Sequence, residues 1–374
     1  MSVQPNLYIG MLSGTSRDGV DAVLTRFSEE GPEVVASLCV AYPPELEDML
    51  RVMISRRRRP GDDELALADH ELSDFFALSA WGLLDSAGVQ PKEVTAIGSH
   101  GQTVWHNPSR HKPESIQLGH PQRIANLTGI PTVGYFRQAD LEAGGQGAPL
   151  APLLHGSLLK PGKGVCAVVN VGGVANISVL DANGAITGFD TGPGNCLLDT
   201  WIHKHKGSKY DEGGQWAAGG EVDQNLLELL LADPYFAMRS PKSTGVEYFN
   251  FYWLQGRLDA RGSDAVQASF RDIQATLSEL TARSIATAVS HSGASELLVC
   301  GGGAHNLDLL KRLQRLSPGV PVSTTASRGI DPDLMEGILF AWLARERIAG
   351  RKQDTRRITG ARESVLLGEI FDPA

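Results

Sequence analysis

Cysteine is scarce in this 374-residue chain. The four residues, Cys39, Cys166, Cys196 and Cys300, are widely separated and form no C-x-x-C pair. That spacing excludes a zinc knuckle and a disulfide framework, and a reducing cytoplasm is the expected home. Surplus positive charge is also missing. With a net charge of -9, the protein lacks the Lys and Arg excess that neutralises nucleic-acid phosphates. The one basic run, Arg56 to Arg59, is followed at once by G-D-D-E and reads as a solvated loop. No apolar stretch approaches a membrane span; G-I-L-F-A-W-L-A is typical of the longest. The N-terminal segment has neither the basic region nor the apolar core of a signal peptide. A Walker A loop is absent too. The nearest approach, P-K-S-T-G at 241–245, has Pro241 before Lys242 and no upstream glycine, which leaves a loop closing on a site or an ordinary turn. His100 and His106 are six residues apart with no Cys or carboxylate nearby, so they do not suggest a metal pair.

Glycine, by contrast, is abundant. The 42 glycines cluster where apolar runs end: I-G-S-H-G at 97–101, N-V-G-G at 170–173, F-D-T-G-P-G at 189–194 and C-G-G-G at 300–303. Strands ending in glycine turns and alternating with helical patterns describe an α/β protein with ligands at strand ends. The block L-Y-I-G-M-L-S-G-T-S-R-D-G-V-D-A-V-L is echoed by C-A-V-V-N-V-G-G-V-A-N-I-S-V-L at 166–180. V-T-A-I-G-S-H-G-Q-T at 94–103 is similarly echoed by L-L-V-C-G-G-G-A-H-N at 297–306. The expectation is a duplicated domain with an interdomain cleft, divided near K-P-G-K-G at 160–164. The first domain then covers 1–160 and the second 161–344, with 345–374 packing back on the first.

Several positions could carry chemistry. In the opening hairpin Gly14 lets a ligand approach the backbone, and neighbouring hydroxyls offer donors to an anion; a decorated surface turn is the plainer reading. Gly172 and Gly173 could form an opposed turn, and Gly301, Gly302 and Gly303 could let a flat base lie on the backbone, or merely permit close packing. Asp190 ends an apolar strand before a glycine–proline turn. There it is either a general base in a partly dry site or a turn-capping aspartate. Ser99, His100 and Gln102 suit hydrogen bonding to a polyhydroxylated ligand. Arg137 could fork onto a ligand carboxylate or pair with Asp140, ahead of the flexible E-A-G-G-Q-G-A-P segment. Asn195 is read as the N-cap of a helix ending before Gly207. Asp331 and Pro332 are read as the start of another, which puts Glu336 in its first turns as a dipole-favoured carboxylate or a cleft-facing group.

Taken in order, S-G-T-S-R-D-G-V-D, I-G-S-H-G-Q-T, F-R-Q-A-D with G-G-Q-G-A-P-L, N-V-G-G-V-A-N, G-F-D-T-G-P-G-N, P-K-S-T-G, C-G-G-G-A-H-N and M-E-G resemble the 1,6-anhydro-N-acetylmuramic acid kinases. These belong to the sugar-kinase, actin and chaperone-ATPase superfamily. The resemblance implies two ribonuclease H-like domains, ATP with Mg²⁺, a homodimer, and a role in peptidoglycan sugar recycling. It implies a first phosphate hairpin of Gly14, Thr15, Ser16 and Arg17 continuing through Asp18, Gly19, Val20 and Asp21, with Gly172 and Gly173 in the second. Asp190 matches the family's catalytic aspartate, which activates water against the anomeric carbon while the released O6 takes the γ-phosphoryl group. Two departures stand out. Leu12 falls where the superfamily usually has an aspartate near the metal, which leaves the Mg²⁺ ligands unassigned. Arg17 replaces a usual apolar residue and reads as solvent-facing or phosphate-leaning. The alternatives are a levoglucosan-type kinase, a non-kinase ATP-binding module, and a metal-dependent relative that would need a proper histidine pair.

Overall fold

The computed structural model describes residues 6–14, 19–55, 58–108, 113–159, 162, 164–260 and 268–374. Thr15, Ser16, Arg17 and Asp18 of the first hairpin lie outside them, as do Arg56, Arg57, Lys160, Pro161 and Lys163. The chain forms two compact units, one of Met1–Leu154 with Leu334–Ala374, the other of His155–Asp333.

In unit 1, β1 (Leu7–Ser13), β2 (Gly19–Ser28) and β3 (Gly31–Ala41) form an antiparallel meander. β4 (Val94–Asn107) joins β1 in parallel and β6 (Thr132–Gly134) joins β4 in parallel. β5 (Glu114–Leu118) pairs with the far end of β4, and β12 (Glu369–Phe371) closes the edge against β6. Unit 2 repeats the plan. β7 (Cys166–Val171), β8 (Val174–Leu180) and β9 (Ile186–Pro193) form the meander, while β10 (Glu296–Cys300) and β11 (Val322–Thr324) follow in parallel. Reading outward from the last meander strand, the orders are β3-β2-β1-β4-β6 and β9-β8-β7-β10-β11. This is the ribonuclease H-like arrangement made twice, and the sequence echo is its trace.

Burial explains the strand patterns. β7, at the centre of its sheet, is buried at all six positions, so C-A-V-V-N-V shows no alternation. Its core joins Val169, Val171, Ile177 and Val299 to Ile285 and Val289 of the helix Phe270–Ser292. Ser269 caps that helix, and its hydroxyl accepts from the Asp272 N–H. In unit 1, Ile9, Met11, Val20 and Leu24 pack with Leu72, Phe76 and Leu83 of the helix Asp62–Ala87. Arg59, just before that helix, pairs with Asp62 and Glu114 at 2.8 and 3.0 Å, as the acidic neighbours of the basic run suggested.

The helix Met335–Ile348 packs on β1 and β4, so residues 334–344 belong to unit 1. Glycines make the close approach possible. A Cβ at Gly10 would lie 2.6 Å from the Ala341 nitrogen, and one at Gly98 would lie 2.7 Å from the Phe340 carbonyl carbon. Backbone cannot yield as a side chain does. Gly10→Ala is therefore expected to destabilise unit 1 by at least about 1–3 kcal/mol, the usual cost of overpacking, visible as a lower urea midpoint. An unchanged midpoint would contradict this packing.

The helix starts later than Asp331 and Pro332 suggest. Residues 332–334 form a turn, in which the Asp331 carboxylate accepts from the Asp333 N–H at 3.0 Å and the Pro332 carbonyl accepts from Gly301 at 2.9 Å. An Asp-Pro start signal also fits an Asx turn, and that is where it is used.

Candidate functional site

The glycine-turn end of the unit 2 sheet carries a polar row through an apolar core. Cys300 stands opposite Asn170, Asn170 opposite Asn176, and Asn176 opposite Asp190. Asp190 is 4% exposed. Its surroundings are built by the segment that follows Asp233. The Thr244 N–H donates to Asp190 Oδ2 at 2.9 Å, and the Tyr235 hydroxyl donates to the Asp190 carbonyl at 2.7 Å. The Asp190 N–H in turn donates to the Lys242 carbonyl at 3.1 Å. P-K-S-T-G thus wraps the carboxylate by backbone contact, and one of its oxygens is oriented by a loop N–H.

The titratable neighbours are strongly perturbed. Burial first, then the Asp190 charge, holds the Tyr235 phenol protonated well above its ordinary range. Burial pushes the Lys242 ammonium down, and Asp190 partly opposes that shift. Glu247, folded against Gly245 of the same loop, is pushed up to about 7 by burial. Beneath them Asp233 accepts from Tyr235 N–H, Tyr248, Trp253 and Arg257. Those donors outweigh its burial and keep it below the usual carboxylate range. Next to Asp190, the Asn176 side-chain oxygen is buried, with no hydrogen-bond donor among the described residues.

The glycine turns divide by what requires each glycine. Gly301, at φ 74°, and Gly303 both press on Val171, so their lack of a Cβ serves packing. Gly302 and Gly172 differ. A Cβ at either would meet nothing nearer than 3.8 and 3.7 Å, and neither has a positive φ. No packing or backbone constraint asks for glycine there, which is the pattern expected where a ligand lies on the main chain. The Gly172 and Gly173 carbonyls accept from the N–H groups of Asn195 and Cys196 at 2.8 and 3.1 Å, fastening the turn to the helix Cys196–Lys206. Asn195 occupies the N-cap position, but its side chain donates to the Val171 carbonyl at 3.2 Å instead of capping. Gly207 ends that helix in the left-handed conformation, as read from the sequence.

In unit 1 the described ends of the first hairpin are strand residues. Val20 is a core side chain, and a Cβ on Gly19 would run into the β3 backbone at Val40. Gly14 follows the end of β1, and Asp21 stands on β2 opposite Leu12. The sugar-contact candidates on β4 lie inside that strand, where the end of β1 pairs with it, and not at a strand end as the glycine pattern suggested. Ser13 donates to the Gln102 side-chain oxygen at 2.6 Å. The Ser99 hydroxyl is buried, with no hydrogen-bond partner among the described residues. His100 donates from Nδ1 to the Gly101 carbonyl, while its Nε2 accepts from Arg137 Nε at 3.1 Å. Burial and the guanidinium both hold His100 neutral, which is what lets it accept. Arg137 also donates to the Gly147 carbonyl at 2.6 Å.

Asp140 is fully buried. Its carboxylate accepts from the Gly147 N–H at 2.8 Å and the Thr359 hydroxyl at 2.7 Å, so it anchors the G-G-Q-G-A-P segment. Glu336 sits half-buried in the first turn of Met335–Ile348. His106 is held neutral, pushed down to about 3 by burial and Arg137, and its Nδ1 lies 3.1 Å from the Ser115 hydroxyl. Among the described residues no group of three His, Cys, Asp or Glu could hold a metal ion.

A family model described as anhydro-N-acetylmuramic acid kinase matches residues 6–373. The chain belongs to the anhydro-N-acetylmuramic acid kinase family. It is 45% identical over 370 residues to the protein of that name from Xanthomonas oryzae pv. oryzae, covering 98% of this chain and 97% of the relative. The match to its namesake from Cupriavidus pinatubonensis is 45% over 379 residues, covering 99% of this chain and all of the relative at 100%. A Pseudomonas fluorescens protein of the same name is 43% identical, with 98% and 99% covered. Family membership does not by itself single out Tyr235, Lys242, Thr244 or Asp233, which lie 43 to 54 residues beyond Asp190 in the chain. The signal available for them was P-K-S-T-G, a motif without a periodicity to place it.

Proposed function

We propose that this family member acts as an ATP-dependent kinase that opens 1,6-anhydro-N-acetylmuramic acid with water and phosphorylates O6. The product is N-acetylmuramic acid 6-phosphate. The observation that carries the reading is the Asp190 carboxylate, buried inside β9 three residues before its end at Pro193 and oriented by the Thr244 N–H. A carboxylate so held can take a proton from water as that water attacks the anomeric carbon. The C1–O6 bond then breaks, and O6 attacks the γ-phosphorus as ADP leaves. Phosphoryl transfer asks the protein for positioning and charge neutralisation rather than a nucleophile.

In this reading unit 2 takes the nucleotide at Gly172, Gly173 and Gly301 to Gly303, and the Gly14–Asp21 hairpin of unit 1 takes phosphate. Ser99, with its buried hydroxyl, His100, Gln102 and Glu336 serve the sugar, and Arg137 its carboxylate; Asp140 acts by holding the neighbouring loop. Mg²⁺, when bound with the nucleotide, would supply charge neutralisation at the transferred group. The reading also takes the protein to be a cytoplasmic homodimer. No disulfide joins its four cysteines, and no described helix is long and apolar enough to cross a membrane.

Incubation with ATP and the anhydrosugar should give a product heavier by one phosphate and one water. A product that gains phosphate without water would remove the hydrolytic step, and no product at all would remove the function. The nucleotide assignment has its own check. Gly302→Ala is expected to leave the melting temperature unchanged, because the added methyl meets only Asn195 Nδ2, at an ordinary contact distance of 3.8 Å, yet to raise KM for ATP several-fold. An unchanged KM would place the nucleotide elsewhere.

A further inference from the structure

Lys242 is a buried cation, only 5% exposed. Its ammonium donates to the Tyr235 carbonyl at 3.1 Å and lies 4.4 Å from the centroid of the Tyr235 ring. The Phe189 ring, one residue before Asp190, is 5.8 Å away. Among the described residues no carboxylate forms a contact ion pair with it. Taking a charge out of water costs several kcal/mol unless something compensates. A carbonyl and two ring faces are modest compensation, and a methionine would fill the same space without the penalty. The carboxylate tied to it is Asp190: the Asp190 N–H donates to the Lys242 carbonyl, and the Tyr235 that holds the ammonium also donates from its hydroxyl to the Asp190 carbonyl.

We propose that Lys242 is a positioning residue for the ring-opening step: its buried ammonium, fixed on Tyr235, supplies the positive field that keeps the Asp190 carboxylate ionised and ready to accept the proton from water. This rests on the assignment of Asp190 as the base. Coulomb attraction is mutual, so the carboxylate that favours the charged lysine is itself favoured as an anion. The Thr244 N–H acts in the same direction from the same loop. Tyr235 thereby has two tasks, with its hydroxyl on the Asp190 carbonyl and its ring and carbonyl under the ammonium.

The other ionisable groups on the surrounding unit 2 elements are few. Glu247 lies on the loop itself, and Tyr235 and Tyr248 stay protonated. Asp233 is matched by Arg257 from the helix Phe251–Asp259 at 2.7 Å. The neighbouring strand presents Asn176, and the helix Phe270–Ser292 presents Thr281 and Ser284 near β9, none of them charged. Glu247 is therefore the group to be separated from Asp190 in a pH profile.

The test is the pH dependence of kcat with ATP and the anhydrosugar for wild type, K242M, K242Q, K242R, E247Q and D190N, each checked by melting temperature. Loss of the cation should move the acid limb upward by about 1–3 pH units, the range for removing a nearby opposite charge. K242M removes charge and donor; K242Q removes only the charge, so it keeps the test alive if K242M does not fold. K242R retains the charge and should hold the limb near its wild-type position, while E247Q should leave it in place. An acid limb that stays put in both neutral variants overturns the proposal even if kcat falls, since a purely structural lysine would lower turnover without moving the limb. A limb that moves in E247Q belongs to Glu247 and overturns it as well. Normal turnover in D190N is a separate failure, that of the base assignment underneath.

Discussion

Asp190→Asn is expected to lower turnover by about 10²–10⁴, the range for losing a general base, while ATP affinity changes little. The amide is nearly isosteric. Its oxygen can still accept the Thr244 N–H, and the backbone bonds to Lys242 and Tyr235 do not depend on the side chain. Structure and binding should therefore survive, which isolates the proton transfer. Single-turnover rates and nucleotide titration on the same sample separate the two quantities. Turnover near the wild-type rate would take Asp190 out of the mechanism and leave it a loop anchor.

Arg137→Met should act on binding instead. Losing a hydrogen bond to a charged group costs about 1.5–3 kcal/mol, so KM for the anhydromuramic sugar should rise by about 10–100-fold. The guanidinium is pre-oriented for that contact, with the Gly147 carbonyl on one side and the neutral His100 ring on the other. Levoglucosan provides the control, because it has no carboxylate. Its KM should respond much less to the same substitution. An equal rise for both sugars would show that Arg137 shapes the loop through Gly147 rather than reading the lactyl group.

How far the sequence could be read depended on the range of the interactions involved. The glycine turns after β7 and β10 and the duplicated order were legible because each is a local pattern that recurs in the chain. I-G-S-H-G at 97–101 and the D-T-G-P of 190–193 were read as strand ends but lie inside β4 and β9, so Asp190 was legible as a carboxylate on its strand and not by its place there. The loop around it was not. Lys242 and Thr244 reach Asp190 through backbone bonds that span more than fifty residues, and no periodicity records such a contact. Asn195 and Asp331 show the complementary limit. Both occupy positions where capping is the common use, yet the side chain of one ties down Val171 and that of the other closes an Asx turn. Asp140 was found as a polar residue beside Arg137. Its burial depends on Thr359, a partner more than two hundred positions away that sequence spacing could not supply.

The order in which the chain is made gives the close seating of Met335–Ile348 on Gly10 and Gly98 a further meaning. Unit 2 is one uninterrupted segment, whereas unit 1 needs both its early strands and Leu334–Ala374. On the ribosome the second unit can finish folding while the first still waits with a bare sheet face. A premature stop a few dozen codons short of the end should thus spoil the half synthesised first and spare the half synthesised later.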